Sequence, residues 1–249
     1  MKRFLLINGV VAMVAAATVG VVAGGAAHAA TTCNGANPIN GGTVSGSVTA
    51  GPGCIIHGGA QVTGNVNVQP GGSLLLTNAT VDGSVLATDP DYVEINGCST
   101  TLCTGHGLGP VTIGGKVSIT GATNTSNGSA TYICNGALIK GNVYLQNNNS
   151  NGALYGTAVD LGSSACGGTP VTINGSVFVS NNAGVINIGP ASGTGNTIAG
   201  SVSATNNTGG GMISNNVISG SLTASGNTPP YTVSGNTVRG RCRVPGGTC

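Results

Sequence analysis

Residues 195–207 read GNTIAGSVSATNN, residues 215–227 read NNVISGSLTASGN, and residues 235–244 read GNTVRGRCRV. Each carries a β-branched residue, any residue, Gly, any residue, an apolar residue, any residue and a second apolar residue. Working outward, the same order occurs nine times, centred on Gly46, Gly64, Gly83, Gly115, Gly141, Gly175, Gly200, Gly220 and Gly240. Apolar residues alternate within each copy, so each reads as a strand with one buried face. Val66, Val117, Val143 and Val177 fall in the inward phase, and Asn142 falls outward. The glycines are 18, 19, 32, 26, 34, 25, 20 and 20 residues apart, a unit of 18 to 20 residues with insertions. Strands at that interval are too far apart for tight hairpins, but they stack in parallel, one copy per coil. A left-handed coil would show an aliphatic hexapeptide period, which is absent. The expected fold is all-β: a right-handed parallel β-helix, or solenoid, of about nine to ten coils.

Composition agrees. The chain has 249 residues, 46 of them Gly, no Trp, 5% charged and 39% hydrophobic residues. A positive mean hydropathy and a net charge of +2 exclude the usual disordered chain, and the glycines keep no collagen period. So much Gly and Asn argues against helices.

The chain opens with Lys2 and Arg3, an apolar run from Phe4 to about Gly25, and Ala27-His28-Ala29. This is the pattern of a secretory signal peptide over residues 1–29, with an uncleaved anchor as the alternative. No later stretch is long and apolar enough to span a membrane as a helix. Residues 30–249 then form a single β-helix domain, with inserted loops near 88–112, 120–137 and 146–170. Removing Lys2 and Arg3 from the seven basic residues leaves five, against five acidic ones. A formally neutral product is no generic nucleic-acid binder.

Asn196, Asn216 and Asn236 each stand four residues before a repeat glycine, and Asn148, Asn182, Asn207 and Asn227 each stand seven after one. A recurring coil places them one above another, where amides hydrogen-bond along the stack and satisfy turn backbone. A polar ligand-binding row is the alternative.

The Ala-rich leader, the units VSGSV, VTGNV, VDGSV, INGSV and ISGSL, and the C-terminal GNTVRGRCRVPGGTC together resemble the secreted, repeat-built parallel β-helix proteins of actinobacteria, largely of unknown function. The resemblance covers nearly all of the exported chain. It implies a right-handed β-helix and extracellular placement, and it transfers no active-site residue.

All eight Cys lie beyond residue 29, and an even count in an exported chain reads as disulfides. Pairing in sequence order gives Cys33–Cys54, Cys98–Cys103, Cys134–Cys166 and Cys242–Cys249. A zinc site at Cys98, Cys103 and His106 would supply only three ligands.

Chemistry-bearing residues are sparse. The acidic set is Asp82, Asp89, Asp91, Glu94 and Asp160. Asp89, Asp91 and Glu94, in the run DPDYVE, are the metal candidates, for calcium; they supply part of its oxygen shell, and Asp-Pro-Asp is equally a turn signal. Tyr92, Tyr132, Tyr144, Tyr155 and Tyr231 are candidates for stacking on sugars. With His57 and His106 the only histidines left and no Gly-x-Ser-x-Gly, a catalytic triad has no support. No catalytic residue and no cofactor are assigned. The expected function is a secreted, monomeric, non-enzymatic structural or cell-envelope module. The alternative is a protein that binds or cleaves an extracellular or cell-wall glycan at the coils between Thr88 and Gly115.

Overall fold

The computed structural model describes residues 30–96, 109–124, 130–150, 157–164, 169–246 and 249. Those residues form 28 short strands in three parallel sheets of ten, nine and nine strands. Sheet I runs from Thr31–Cys33 to Cys242–Arg243, sheet II from Ile39–Asn40 to Thr232–Ser234, and sheet III from Thr43–Val44 to Thr237–Val238. The chain visits I, II and III in turn, and each strand pairs with its counterparts one coil away. The molecule is therefore a three-sided parallel β-helix, stapled at both ends by Cys33–Cys54 and Cys242–Cys249.

The repeat motif is a corner rather than the single strand expected. Its first apolar residue ends a strand of sheet III, and its last two lie in sheet I, as with Ile139 and Val143–Gln146 around Gly141. The glycines turn the chain at this corner. Gly64, Gly83, Gly115, Gly141, Gly200, Gly220 and Gly240 each donate N–H to the carbonyl of the glycine one coil below, at 2.7 to 3.1 Å. Among the nine, only Gly46 has positive φ. The others are required because backbone lies directly beneath them: a Cβ on Gly141 would stand 2.6 Å from the Gly115 carbonyl oxygen.

The corner between sheets I and II uses the left-handed region instead, with Asp89, Gly121, Asn147, Asn181, Asn206 and Gly226 stacked in it at φ between 48° and 76°. Asn and Gly tolerate that conformation best. Three strands, Tyr92–Ile95, Thr131–Ile133 and Thr157–Leu161, fall within stretches expected as inserted loops. They belong to sheet II, which the glycine motif does not reach.

The interior is a continuous column of aliphatic side chains. Val66, Val117, Val143 and Val177 are all fully buried, and Asn142 is half-exposed, as the strand phase requires. Both asparagine stacks are present as hydrogen-bonded ladders. Asn182 Nδ2 donates to Asn207 Oδ1 and Asn207 Nδ2 to Asn227 Oδ1, each at 2.9 Å. Asn196 bonds Asn216 at 2.9 Å, and Asn216 bonds Asn236 at 3.0 Å. Asn182, Asn196, Asn207, Asn216, Asn227 and Asn236 each also donate Nδ2 to a main-chain carbonyl, Asn216 to Ile188 for example, whereas Asn148 Nδ2, in the first coil of its ladder, is buried without a partner among the described residues. A third ladder was not foreseen. The residue after the corner glycine accepts the N–H of its successor, through Ser176 Oγ to Ser201, Ser201 Oγ to Ser221 and Ser221 Oγ to Arg241.

Cys33 and Cys54 are bonded not as stacked neighbours in one sheet but from sheet I of the first coil to sheet II of the second, both facing inward. Cys33 lies beside Ala50 one coil on, and Cys54 stands four residues further along the chain, which carries the second cysteine around the corner. Cys134 is disulfide-bonded, while Cys98, Cys103, Cys166 and His106 lie outside the described residues.

Candidate functional site

The outward row of sheet I mixes Ser203 and Thr223 with Leu86, Tyr144, Phe178 and Arg243, and that of sheet III runs through Thr172, Thr197 and Thr237 with Leu138 and Val217 among them; neither carries a carboxyl group among the described residues. The outer face of sheet II differs. Strand register stacks Leu75, Glu94, Tyr132, Asp160, Asn187 and Met212 on successive coils. Glu94 is only 4% exposed and Asp160 only 3%, although both point away from the aliphatic interior. Two coils separate them, placing their Cα atoms about 10 Å apart at the usual strand spacing, with Tyr132 between.

The two carboxyls have different surroundings. Glu94 Oε2 has no hydrogen-bond partner, and burial pushes the Glu94 carboxyl up to about 7. Asp160 accepts a hydrogen bond from Asn187 Nδ2 at 3.1 Å. Near neutrality the column therefore sets a carboxyl that can hold a proton two coils from a second carboxyl group that is hydrogen-bonded to Asn187. Tyr92, half-buried two residues before Glu94, has its phenol pushed up by burial, and the nearby Glu94 and Asp91 charges add to this against a hydrogen bond with Ser73.

Asp89, Asp91 and Glu94 are close in sequence but do different things. Asp89 occupies the left-handed corner, where its carboxylate lies against Gly121. The Asp91 N–H donates to the Gly72 carbonyl, and Glu94 stands on the sheet face. Among the described residues, no three His, Cys, Asp or Glu side chains group as metal ligands. Asp82 and Lys116 belong to the glycine corner, where Asp82 accepts from Gln61 Nε2 at 2.8 Å. Sequence reasoning missed the partnership of Glu94 with Tyr132 and Asp160. Its signal was register within sheet II, hidden by the 32- and 26-residue spacings.

Tyr144 points outward as expected, yet both faces of its ring are occupied. Phe178 stacks on one, with centroids 5.0 Å apart and planes within 8°. The Lys116 ammonium lies 6.0 Å from its centroid, and its hydroxyl accepts from Asn142 Nδ2. The ring is used for packing, which leaves little of it for a sugar. Tyr231 is buried in the last coil, and Tyr155 lies outside the described residues.

No protein-family model, curated protein or solved structure matches this chain. The class that fold and surface define is thus a disulfide-stapled parallel β-helix, and its bonded cysteines belong to an oxidising compartment. No helix of the described residues is long and apolar enough to cross a membrane.

Proposed function

We propose that the protein is a secreted, non-enzymatic rod of the cell envelope or extracellular space. The observation that carries this reading is the use made of the residues that dominate the repeat. Corner glycines, buried asparagines and corner serines each hydrogen-bond the next coil, so repetition serves length and stiffness. The two staples at the ends support it, since a one-dimensional stack opens first at its terminal repeats. The test is fractionation of the producing cell, with incubation of the purified protein on a polysaccharide panel with and without calcium. Envelope or medium localisation without product release is expected; release of sugars would overturn the non-enzymatic reading.

The second reading, glycan binding or cleavage, is favoured by one observation, the shared column of Glu94, Tyr132 and Asp160. Two carboxyl groups on one face, one of them in surroundings that let it hold a proton, are the elements of glycoside hydrolysis. If the panel shows product release, Glu94→Gln should abolish it.

A further inference from the structure

The five Lys and Arg beyond residue 29 all lie at one edge of the three-sided rod. Lys116 follows Gly115, Lys140 precedes Gly141, and Arg239 and Arg241 flank Gly240, all at the corner between sheets III and I. Arg243 stands two residues on, in the outward phase of sheet I above Thr223. All five are exposed, and none forms an ion pair among the described residues. Lys116 alone has a further partner, the Tyr144 ring. Asp82 is the single acidic residue at this corner, and it is hydrogen-bonded to Gln61. The other four, Asp89, Asp91, Glu94 and Asp160, lie on sheet II or at its border with sheet I. A chain that is neutral overall beyond residue 29 is thus polarised across its section.

We propose that this corner is a docking edge for a linear polyanion, a phosphate- or carboxylate-bearing polymer lying along the rod axis. Five coils separate Gly115 from Gly240, so the lysine and arginine groups stand about 20 to 25 Å apart at the strand spacing. That exceeds the screening length of about 8 Å at physiological salt, so the groups act as separate contacts that one extended polymer can bridge. Between them the corner carries only small or uncharged flanking residues, Asn142, Asn174, Ser176, Ala199, Ser201, Ser219 and Ser221, so nothing bulky or acidic interrupts the path. Guanidinium groups offer paired donors to phosphate or carboxylate oxygens. A second copy of the chain fits less well: Glu94 and Asp160 are buried, and of the three acids left Asp82 lies on the cationic corner itself, hydrogen-bonded to Gln61, so only Asp89 and Asp91 are offered from another side of the rod. This inference goes beyond the scaffold role, which stands or falls separately.

The experiment measures binding of the oxidised protein to long-chain inorganic polyphosphate, polygalacturonate and neutral dextran at low and high salt. Binding to one or both polyanions but not to dextran is expected at low salt, with loss at high salt; the preferred polymer identifies phosphate or carboxylate as the recognised group. R239Q/R241Q/R243Q and K116Q/K140Q should each weaken it roughly tenfold or more and flatten its salt dependence, and the fivefold variant should not bind. Both variants change exposed side chains, and circular dichroism checks that each is folded. No binding of the native protein at low salt, or undiminished binding by the fivefold variant, would overturn the proposal. So would salt-sensitive self-association of the native protein that D89N/D91N abolishes, because the edge would then belong to a second copy.

Discussion

At the scale of the residue, the same side chain is structural or surplus according to which way one strand phase turns it. Val143 is fully buried between Val117 and Val177, and Val143→Asp would strand an unpaired charge in the aliphatic column. More than about 4 kcal/mol should be lost, and no folded protein should be recovered on expression. Asn142→Asp keeps the oxygen that accepts the Ser176 N–H, and its product should be recovered folded at near-native yield. Equal yields of the two would refute the phase. Glu94 is the opposite case, a buried carboxyl with an unsatisfied oxygen. Its folded pKa of about 7 stands above its unfolded value near 4.5, so the folded state holds the extra proton between the two. Stability should therefore be greatest below the unfolded value, fall as pH rises toward 7, and stay at the lower level above it. Glu94→Gln should flatten that decline and add up to about 3 kcal/mol above neutrality. Denaturant midpoints of both proteins at about pH 5 and about pH 8 decide it; parallel pH profiles would remove Glu94 as the cause.

Elements here are corners as much as strands. The glycine corner is held by stacked backbone, and the left-handed corner by residues that tolerate positive φ. Two substitutions separate these causes. Gly141→Ala drives a methyl into the backbone of Gly115 and Lys116 in the coil below, which has no flexible end to move aside, and should cost about 2 kcal/mol or more. Gly226→Asn, at φ 66° in the column where Asn206 already sits, meets only the end of the Asn206 side chain and should be nearly neutral in thermal unfolding. If both cost the same, the corners do not differ in kind. The serine and asparagine ladders explain why the x positions of the motif are not free: an oxygen after each corner glycine caps the N–H of the coil above. Lys116 and Arg241 offer no such oxygen, and Arg241 stands in the last coil of the described residues.

For the whole molecule, nine coils give a rod about 40 Å long, and its stability is a sum of coil-to-coil interfaces. The ends are the weak points, and the C-terminal one is visibly closed. Through the Cys242–Cys249 bond the chain turns back, and the Cys249 carbonyl accepts the N–H of Asn236, completing the asparagine ladder. Arg239, Arg241 and Arg243 are exposed around it, where like charges oppose stacking of a second rod. C242S/C249S should free the last coil, seen as amide exchange in 232–244 accelerated by roughly tenfold or more while the middle coils keep native protection. Removing residues 245–249 and replacing the three arginines by serine should produce concentration-dependent oligomers in sedimentation that the native protein does not form. A variant that stays monomeric at every concentration would show that the cap does not limit assembly.

The coil was legible in the sequence because a Gly beneath a Gly, and an Asn beneath an Asn, are demands that every turn of the solenoid repeats. Nine recurrences of one motif and two spaced sets of asparagines were enough to determine a parallel stack, its inward phase and both ladders. The sequence did not reveal that the motif bends, because a strand and a corner have the same alternation until the backbone path is known. It also did not place Tyr132 and Asp160 over Glu94. Sheet II carries no invariant residue, and insertions of unequal length before it erase the count that would align its strands. The gathering of the cations on one edge is likewise tertiary. Lys116 and Arg239 are 123 residues apart in sequence, and only the closure of each coil at the same corner brings them onto one line.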